Sequence, residues 1–336
     1  MRILSLNPHL DDDARWRAHA TSIRSIDPEF YTRVRLTQVA ILLAQLKSFD
    51  VVAFYNNVTV AAIVGSLKKL ARLNTRLVLQ EMFVNLGSHS GARLGERIRS
   101  SLRWFFYFVV AHVMDRIVVH TSAEVAMLSD SLHAPPSRFR FVPYFHYNTA
   151  DQATEEKGGY VLAIGRHRDF PCFIQAVQDT AWPAMIVAGE TDRVQIGASP
   201  PQNVEVRYEV SWAEYRALIA GARIVVLPLF GDRWHRSLGQ IAAFEATLLR
   251  KPLLVADTFH LRDYFRDGEV LRYKAGSPES LRSQIDFLLG NLEAGPIMTA
   301  RAYNRVTTEF TRTNYVESQL KVCAEWSDPG LSGAHS

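Results

Sequence analysis

The chain contains 336 residues, 48% of them hydrophobic and 21% charged, and its formal net charge is +4. These values indicate a globular protein of two domains, each able to bury a core, and exclude a disordered chain. The only cysteines, Cys172 and Cys323, form no CxxC motif, which argues against a disulfide framework or structural zinc and favours a reducing cytoplasm. The first residues, MRILSLNPHLDDD, hold an apolar segment too short for a signal peptide and predict a first strand.

Apolar runs alternate with helical patterns along the chain. In the first half, strands are predicted at Ile3–Leu6, Val51–Tyr55, Arg76–Gln80, Arg116–His120 and Phe139–Val142. Helices are predicted between them at Thr37–Lys47, Val58–Leu73, Ala92–Met114 and Ser122–Leu132. In the second half, strands are predicted at Tyr160–Ile164, Ala184–Ala188, Val204–Tyr208, Arg223–Pro228, Leu253–Ala256 and Val270–Tyr273. This alternation predicts an α/β fold with two parallel sheets, each covered by helices on both faces.

A polar stretch separates the two halves. Residues 148–159, NTADQATEEKGG, predict a linker between a first domain at 1–147 and a second domain at 160–312. A last helix pattern, Thr313–Trp326, occupies a C-terminal segment at 313–327, and the residues after it predict a frayed tail.

Two patterns that suggest other chemistry have simpler interpretations. The triple aspartate Asp11–Asp13 resembles a metal-binding cluster, but it precedes a helix pattern, where carboxylates cap free amides. We therefore predict no metal site. Gly87, Gly91 and Gly95 spell neither GxGxxG nor a P-loop, so nicotinamide and P-loop chemistry are unsupported.

The segment Gly239–Pro252, GQIAAFEATLLRKP, carries the strongest functional pattern. A turn of small residues opens an apolar helix that carries one acid, Glu245, and ends where an apolar strand begins. The free amides at the start of such a helix bind anions, and Gly239 lets an anion approach the backbone closely. A phosphate bound there would place a ribose near Glu245.

A second segment, Tyr160–Val177, supplies positive charge. An apolar run ends at Gly165, and Arg166 and Arg168 follow it before a helix pattern begins. Arginine suits a phosphate site because its guanidinium binds two oxygens at once and stays charged.

Together these segments resemble the nucleotide-sugar site of GT-B glycosyltransferases in the large, mostly retaining family called glycosyl transferases group 1 (family 4). The family pattern has a glycine-containing turn, a Glu-Ala pair on a helix and a Gly-Lys-Pro-Val exit into a strand. Gly239, Glu245-Ala246 and Lys251-Pro252-Leu253 match it. Arg250 replaces the glycine of the exit, and Ser237 replaces a second glutamate that holds donor-sugar hydroxyls in the family.

The resemblance implies two Rossmann-like, doubly wound domains that face a cleft, with the last helix crossing back to the first domain. It implies a metal-independent hexosyl-type transferase that moves sugar from a nucleotide-sugar, UDP- or GDP-linked, to a hydroxyl acceptor of a polysaccharide, glycolipid or secondary metabolite. No cofactor is expected beyond this donor substrate. The residues assigned to the donor are Arg166, Arg168, Ser237, Leu238, Gly239, Gln240 and Glu245.

The resemblance also assigns catalytic candidates. Arg166 would neutralise the departing diphosphate. A retaining enzyme needs no dedicated nucleophile, whereas an inverting enzyme needs a base in the first domain, for which His9 and Glu81 are the candidates. Two other functions stay open, a non-catalytic nucleotide-sugar-binding homologue or partner subunit, and a GT-B nucleotide-sugar epimerase.

Positive charge is concentrated in the first half, where GT-B enzymes hold the acceptor. Residues 1–150 carry 18 Lys and Arg against 11 Asp and Glu. Several arginines flank the apolar run Trp104–Met114, which is too short to cross a bilayer. The segment Arg93–Met114 fits two interpretations equally well. It could be an interfacial helix that brings a cytoplasmic enzyme to a lipid-linked acceptor at the inner face of the membrane, or a buried helix with a basic end. No motif indicates nucleic acid binding.

Overall fold

The computed structural model describes residues 1–82, 94–147, 159–231, 238–291 and 293–326, which fall into two compact units. Unit 1 comprises Met1–Pro143 together with Thr313–Ser336, and unit 2 comprises Tyr144–Arg312. The predicted linker lies, apart from Gly159, outside the described residues. The roles assigned to the two domains remain proposals.

Unit 1 is built on a six-stranded sheet within the described residues. Its strands are β1 (Ile3–Ser5), β2 (Ala20–Ser22), β3 (Val51–Phe54), β4 (Arg76–Leu79), β5 (Arg116–Val119) and β6 (Phe139–Phe141). Its helices up to this point are α1 (Ala14–Arg17), α2 (Ile23–Ile26), α3 (Arg35–Gln45), α4 (Val58–Leu70), α5 (Leu94–Val113) and α6 (Ser122–Leu132). The strand order is β2-β1-β3-β4-β5-β6 and all pairings are parallel. The order reverses between β1 and β3, as in flavodoxin-like sheets.

Unit 2 has a second six-stranded parallel sheet within the described residues. Its strands are β7 (Tyr160–Ile164), β8 (Ala184–Ala188), β9 (Val204–Tyr208), β10 (Ala222–Leu227), β11 (Leu253–Ala256) and β12 (Leu271–Tyr273). Its helices are α7 (Phe170–Val177), α8 (Arg193–Ile196), α9 (Trp212–Ala220), α10 (Gln240–Leu248), α11 (Pro278–Gly290) and α12 (Ala294–Glu309). The order β12-β11-β10-β7-β8-β9 is that of a Rossmann sheet, with its reversal between β7 and β10. The final helix, α13 (Arg312–Ala324), lies in unit 1 from Thr313 onward.

The α/β prediction of two doubly wound parallel sheets is confirmed. Strands such as β3, β8 and β11 are buried along their whole length, because helices cover both faces of the sheet. Five predicted strands of unit 1 each extend one residue too far, since the residue after the strand already leaves the ladder at the carboxyl edge. Strand β2 was not predicted: its sequence, Ala-Thr-Ser, has no apolar run and it pairs only with β1 at the end of the sheet.

Candidate functional site

The candidate donor site lies in unit 2 at the carboxyl ends of β7 and β10, where the strand order reverses. Ligands of doubly wound sheets bind at this position, because the two loops diverge there and leave a crevice. The loop after β7 begins at Gly165 and leads into α7, whose first turn is capped by the Asp169 side chain. The Asp169 amide donates to the Pro228 carbonyl after β10 at 2.7 Å, which ties the two loops together.

The buried carboxylate of Asp192 fixes the shape of the loop after β7. It accepts hydrogen bonds from the backbone amide of His167 at 3.0 and 3.1 Å and from that of Gly189 at 3.2 Å. His167 itself has a φ of 57°, in the left-handed region. The loop backbone around His167 is therefore held in one conformation, and the side chains of Arg166 and Arg168 extend from it.

These two arginines have different environments. Arg168 is buried and its Nη1 donates to the Arg166 carbonyl at 2.9 Å. Gly165, with a φ of 121°, makes room for it, since a Cβ there would lie 2.6 Å from the Arg168 Nε. Arg166 has a side chain 66% exposed and forms an ion pair with Glu209. The resemblance assigned the diphosphate more firmly to Arg166, yet Arg168 is the arginine whose position the fold fixes.

A pocket of about 220 Å³, which no sequence pattern predicted, opens beside this loop. Its walls are mostly apolar and aromatic: Gly165, Arg166, Val187, Ala188, Glu209, Val210, Trp212 and Tyr215 line it. The rings of Trp212 and Tyr215 stack with centroids 5.3 Å apart and planes 15° apart. A flat-walled pocket with a carboxylate at its rim can hold an aromatic heterocycle. The signal in the sequence was the pair of aromatic residues in the first turn of α9, the helix that follows β9.

Tyr215 lines this pocket and is also close to Glu245, the residue predicted to bind the ribose. Burial raises the pKa of the Tyr215 hydroxyl above its ordinary value, and the charges of Arg168 and Glu245 act on that pKa in opposite directions. Both charged side chains therefore lie within electrostatic reach of one ring. The structure thus brings together residues from the loop after β7, from α9 and from α10.

Helix α10 has the predicted form. Gly239 stands at its N-cap with a φ of 92°, a conformation that favours glycine. The Gln240 side chain is turned to the protein, where its Nε2 donates to the His260 carbonyl at 2.9 Å, so only its backbone amide is suited to an anion. Leu238 is half-buried, and Ser237 lies outside the described residues.

Glu245 is buried and has a cationic neighbour that the sequence analysis missed. The Nε of Arg216, on α9, lies 3.1 Å from its Oε2. Arg216 is itself partly exposed, so the pair reaches from the interior toward the surface. Arg216 therefore places a positive charge beside this carboxyl group, whose oxygens can accept hydrogen bonds from a ribose.

The end of α10 has a backbone conformation at position 250 that suits glycine. Arg250 has a φ of 52°, the left-handed conformation in which helices often end and which favours glycine. Its guanidinium lies 3.8 Å from the ring centroid of Tyr303, a cation–π contact that compensates for the backbone strain.

The carboxyl edge of unit 1 carries the two predicted base candidates. His9 follows β1 and is exposed; its ring packs edge-on against Tyr55, which follows β3, with centroids 5.1 Å apart. The His9 amide donates to Asn7 Oδ1, and Asn7 in turn donates to Gln80. His9 is therefore held at the reversal point of this sheet.

Glu81, after β4, is buried instead. Burial raises the pKa of its carboxyl to about 7, although a hydrogen bond from Tyr55 lowers it. Its Oε1 lies 3.7 Å from Nε2 of the buried His120. Burial lowers the pKa of His120 to about 4, so this imidazole is neutral at pH 7 and the two groups form no ion pair. A carboxyl that titrates near neutrality can exchange a proton there.

The triple aspartate acts locally. Asp13 is the N-cap of α1 and accepts from two backbone amides of its first turn, and Asp11 accepts from the hydroxyls of Ser5 and Ser22. No group of three metal-ligating side chains is found among the described residues. Within the same residues, no helix is long and apolar enough to span a membrane.

Comparison with known proteins identifies the fold. No protein-family model matches the chain, and no curated protein matches it in sequence. Solved structures do match: HepE from Anabaena in complex with UDP gives a TM-score of 0.66 at 12% identity, over 97% of this chain and 100% of HepE. A glycosyltransferase from Rickettsia africae gives 0.65 at 12% identity, over 96% and 98% of the two chains. Sucrose-phosphate synthase from Thermosynechococcus elongatus gives 0.63 at 14% identity, over 88% and 78%.

The chain therefore has the GT-B fold of glycosyltransferases, as the resemblance of its two motif segments predicted. Among these similar structures, those of HepE contain UDP, UDP-glucose, or UDP and glucose.

Proposed function

We propose that the protein is a glycosyltransferase that moves a hexosyl group from a nucleotide-sugar to a hydroxyl acceptor. One observation carries the proposal: on a GT-B fold, the carboxyl edge of the unit 2 sheet combines an aromatic-walled pocket after β7, β8 and β9 with a buried arginine, a helix N-terminus with glycine and a buried glutamate. These four parts match the base, the diphosphate and the ribose of a nucleotide.

The roles follow from the chemistry of each part. The nucleobase enters the pocket beside Trp212 and Tyr215, while Glu245 accepts hydrogen bonds from the ribose. Arg168 and the backbone amides of Gly239 and Gln240 hold the diphosphate, and Arg166 joins them when it leaves Glu209. The pair between Arg166 and Glu209 is exposed and therefore weak, so exchanging Glu209 for a diphosphate has a small cost.

The reacting bond joins the anomeric carbon of the sugar to the diphosphate. As it breaks, negative charge grows on the diphosphate oxygens, and the cationic and amide groups of unit 2 stabilise that charge. This scheme requires no bound metal. HepE structures with UDP and UDP-glucose support a UDP-sugar as donor, with a GDP-sugar as the alternative.

The acceptor is assigned to unit 1. In a retaining reaction no base of the protein is required. In an inverting reaction His9 is the better placed base, because it is exposed at the carboxyl edge whereas Glu81 is buried. A polysaccharide or glycolipid acceptor in the cytoplasm, lipid-linked at the inner face of the membrane, completes the proposal.

A donor panel tests the proposal. The protein is incubated with UDP-, GDP-, ADP- and dTDP-sugars, and release of the nucleoside diphosphate is measured with and without hydroxyl acceptors. We expect turnover with one donor, and its loss by at least about tenfold in Arg168→Gln, which removes a charged phosphate contact. Arg207→Gln is the matched control, because Arg207 lies outside the site and pairs with exposed Glu205 and Glu214.

The alternatives give different results in this assay. An epimerase converts the sugar of the donor without transferring it to an acceptor. A non-catalytic homologue binds the nucleotide in calorimetry but releases no product from any donor. If neither binding nor turnover occurs with any nucleotide-sugar, the proposed function is wrong.

A further inference from the structure

Helix α5 of unit 1 exposes a continuous apolar face. One side of its C-terminal half is in the core, where Tyr107, Val110, Ala111 and Val113 are buried. The opposite side carries Ile98, Leu102, Phe105 and Phe108, whose exposed fractions are 61%, 55%, 58% and 44%. Their spacing of three or four residues puts them in one row along the helix. We call this row the α5 apolar row.

Exposed large apolar residues in a row mark an interaction surface, whereas single ones are ordinary. Neither alternative from the sequence describes α5 completely. One face of the helix is indeed buried, but the apolar residues on that face are not those of the α5 apolar row, which stays exposed to water.

Arginines accompany this row. Arg97 and Arg99 are exposed and, at 100° per residue, project on either side of Ile98, whereas the exposed Arg103 projects away from the row. No ion pair joins these three side chains to a carboxylate in the part of the chain that the structure describes. An apolar face bordered by cations is complementary to a surface that offers both acyl chains and negative headgroups.

We propose that the α5 apolar row lies on the surface of an anionic phospholipid bilayer, with the helix axis in the headgroup plane. The apolar side chains enter the headgroup–acyl boundary, and Arg97 and Arg99 contact anionic headgroups. The inference deepens the proposed function, on which it rests for one point only: a lipid-linked acceptor would be presented to unit 1 at this surface.

A second copy of this chain is the competing occupant. A symmetric dimer through the same face would bring the arginines of both copies together, and like charges in contact disfavour that interface. The arginines therefore favour the bilayer, and the experiment includes the dimer as an outcome that would overturn the proposal.

Co-sedimentation with vesicles tests the surface. Vesicles of phosphatidylcholine alone are compared with vesicles of equal parts phosphatidylcholine and phosphatidylglycerol, at low and at high salt. We expect the full chain to pellet with the anionic vesicles, and less at high salt, because salt screens exposed charges. Replacing Arg97 and Arg99 together by glutamine should weaken the vesicle partition coefficient about 30-fold, from the usual contribution of each basic residue near an anionic surface.

The apolar part is tested with Leu102→Ser and Phe105→Ser combined, which should weaken binding to the same vesicles by at least about tenfold. The matched controls are Leu36→Ser and Arg35→Gln, exposed residues of α3 in the same unit, which should change binding by less than about twofold. Circular dichroism shows that each variant is folded.

Three results would overturn the proposal: no pelleting with anionic vesicles at low salt, equal loss in the α3 controls, or a wild-type dimer in sedimentation velocity that the Leu102 and Phe105 changes dissociate. Release of nucleoside diphosphate with a soluble acceptor is measured in parallel. That activity depends on the donor site and not on vesicles, so failure of the membrane surface and failure of the proposed function are distinguishable.

Discussion

Removing Arg216 should destabilise unit 2 and weaken nucleotide binding together, because Arg216 supports the buried Glu245. In Arg216→Met the Glu245 carboxylate loses the cation that now lies 3.1 Å away while the rest of its surroundings stay buried. Breaking a buried pair in this way costs about 3–5 kcal/mol. Since the Arg216 side chain keeps 25% of its surface exposed, water compensates in part, and we expect a loss of about 3 kcal/mol.

The loss can be measured in two ways. At about 2–4 °C per kcal/mol for a domain of this size, the melting transition of unit 2 should fall by about 6–12 °C. Hydrogen–deuterium exchange should place the change in α9 and α10. Glu245→Gln should weaken binding of the preferred nucleotide by about 1.5–3 kcal/mol, the range for a hydrogen bond to a charged group.

A double-mutant cycle isolates the pair. If Arg216 acts through Glu245, the double variant Arg216→Met with Glu245→Gln should lose clearly less stability than the sum of the single losses. The control is Arg207→Met, whose carboxylate partners are exposed and whose loss should stay within about 1 kcal/mol. Additive losses, or an Arg216 variant no less stable than the Arg207 variant, would show that Arg216 does not act through Glu245.

Three further predictions concern the other described features. Trp212→Ala should weaken nucleotide binding by about 1–3 kcal/mol, the usual contribution of base stacking, while leaving inorganic diphosphate binding unchanged in calorimetry; equal weakening of both would remove Trp212 from the base pocket. Because the pKa of Glu81 is raised to about 7 in the folded state, the unfolded chain loses this proton first as pH rises, and the Glu81 carboxyl by itself lowers the stability of unit 1 by about 3 kcal/mol between pH 4.5 and 7. The lowered pKa of His120 acts in the opposite direction over an overlapping pH range, so the Glu81 contribution is measured as a difference between variants. Glu81→Gln should therefore gain stability over wild type as pH rises through that window, and a pH-independent difference in urea denaturation would contradict this. Arg250→Ala should destabilise unit 2 by about 1 kcal/mol more than Arg250→Gly, because only glycine relieves the positive φ; identical melting temperatures would show that the backbone strain is absent.

The sequence determined the fold class and most elements, because parallel strands buried on both faces have a distinctive local pattern. Strands β7, β8 and β11 begin and end where predicted, since an apolar run bounded by turn residues has few alternatives, and β9 does so with an alternating pattern. The sequence also placed Gly165 and Gly239 in turns beside the predicted phosphate site, and both have a positive φ in the structure.

Other features were invisible because they depend on which loops meet. The pair between Arg216 and Glu245, and the pocket beside Trp212 and Tyr215, join residues that only the strand order brings to one edge. Local patterns do not encode that order. The two arginines after β7 are another example. Their positions in the sequence predicted a phosphate contact for both, but only the structure shows that Arg168 is buried and held in place whereas Arg166 is exposed.

Helix α5 shows the limit most directly. Its run from Trp104 to Val109 is apolar on every side, so periodicity could not say which residues face the core. That choice depends on the helices packed against α5, and it buried Tyr107 and Val110 while leaving Phe105 and Phe108 in solvent. The side chains of a sequence set which residues prefer to leave water, whereas the neighbouring helices select which of them can, because a layered fold covers only one face of a helix.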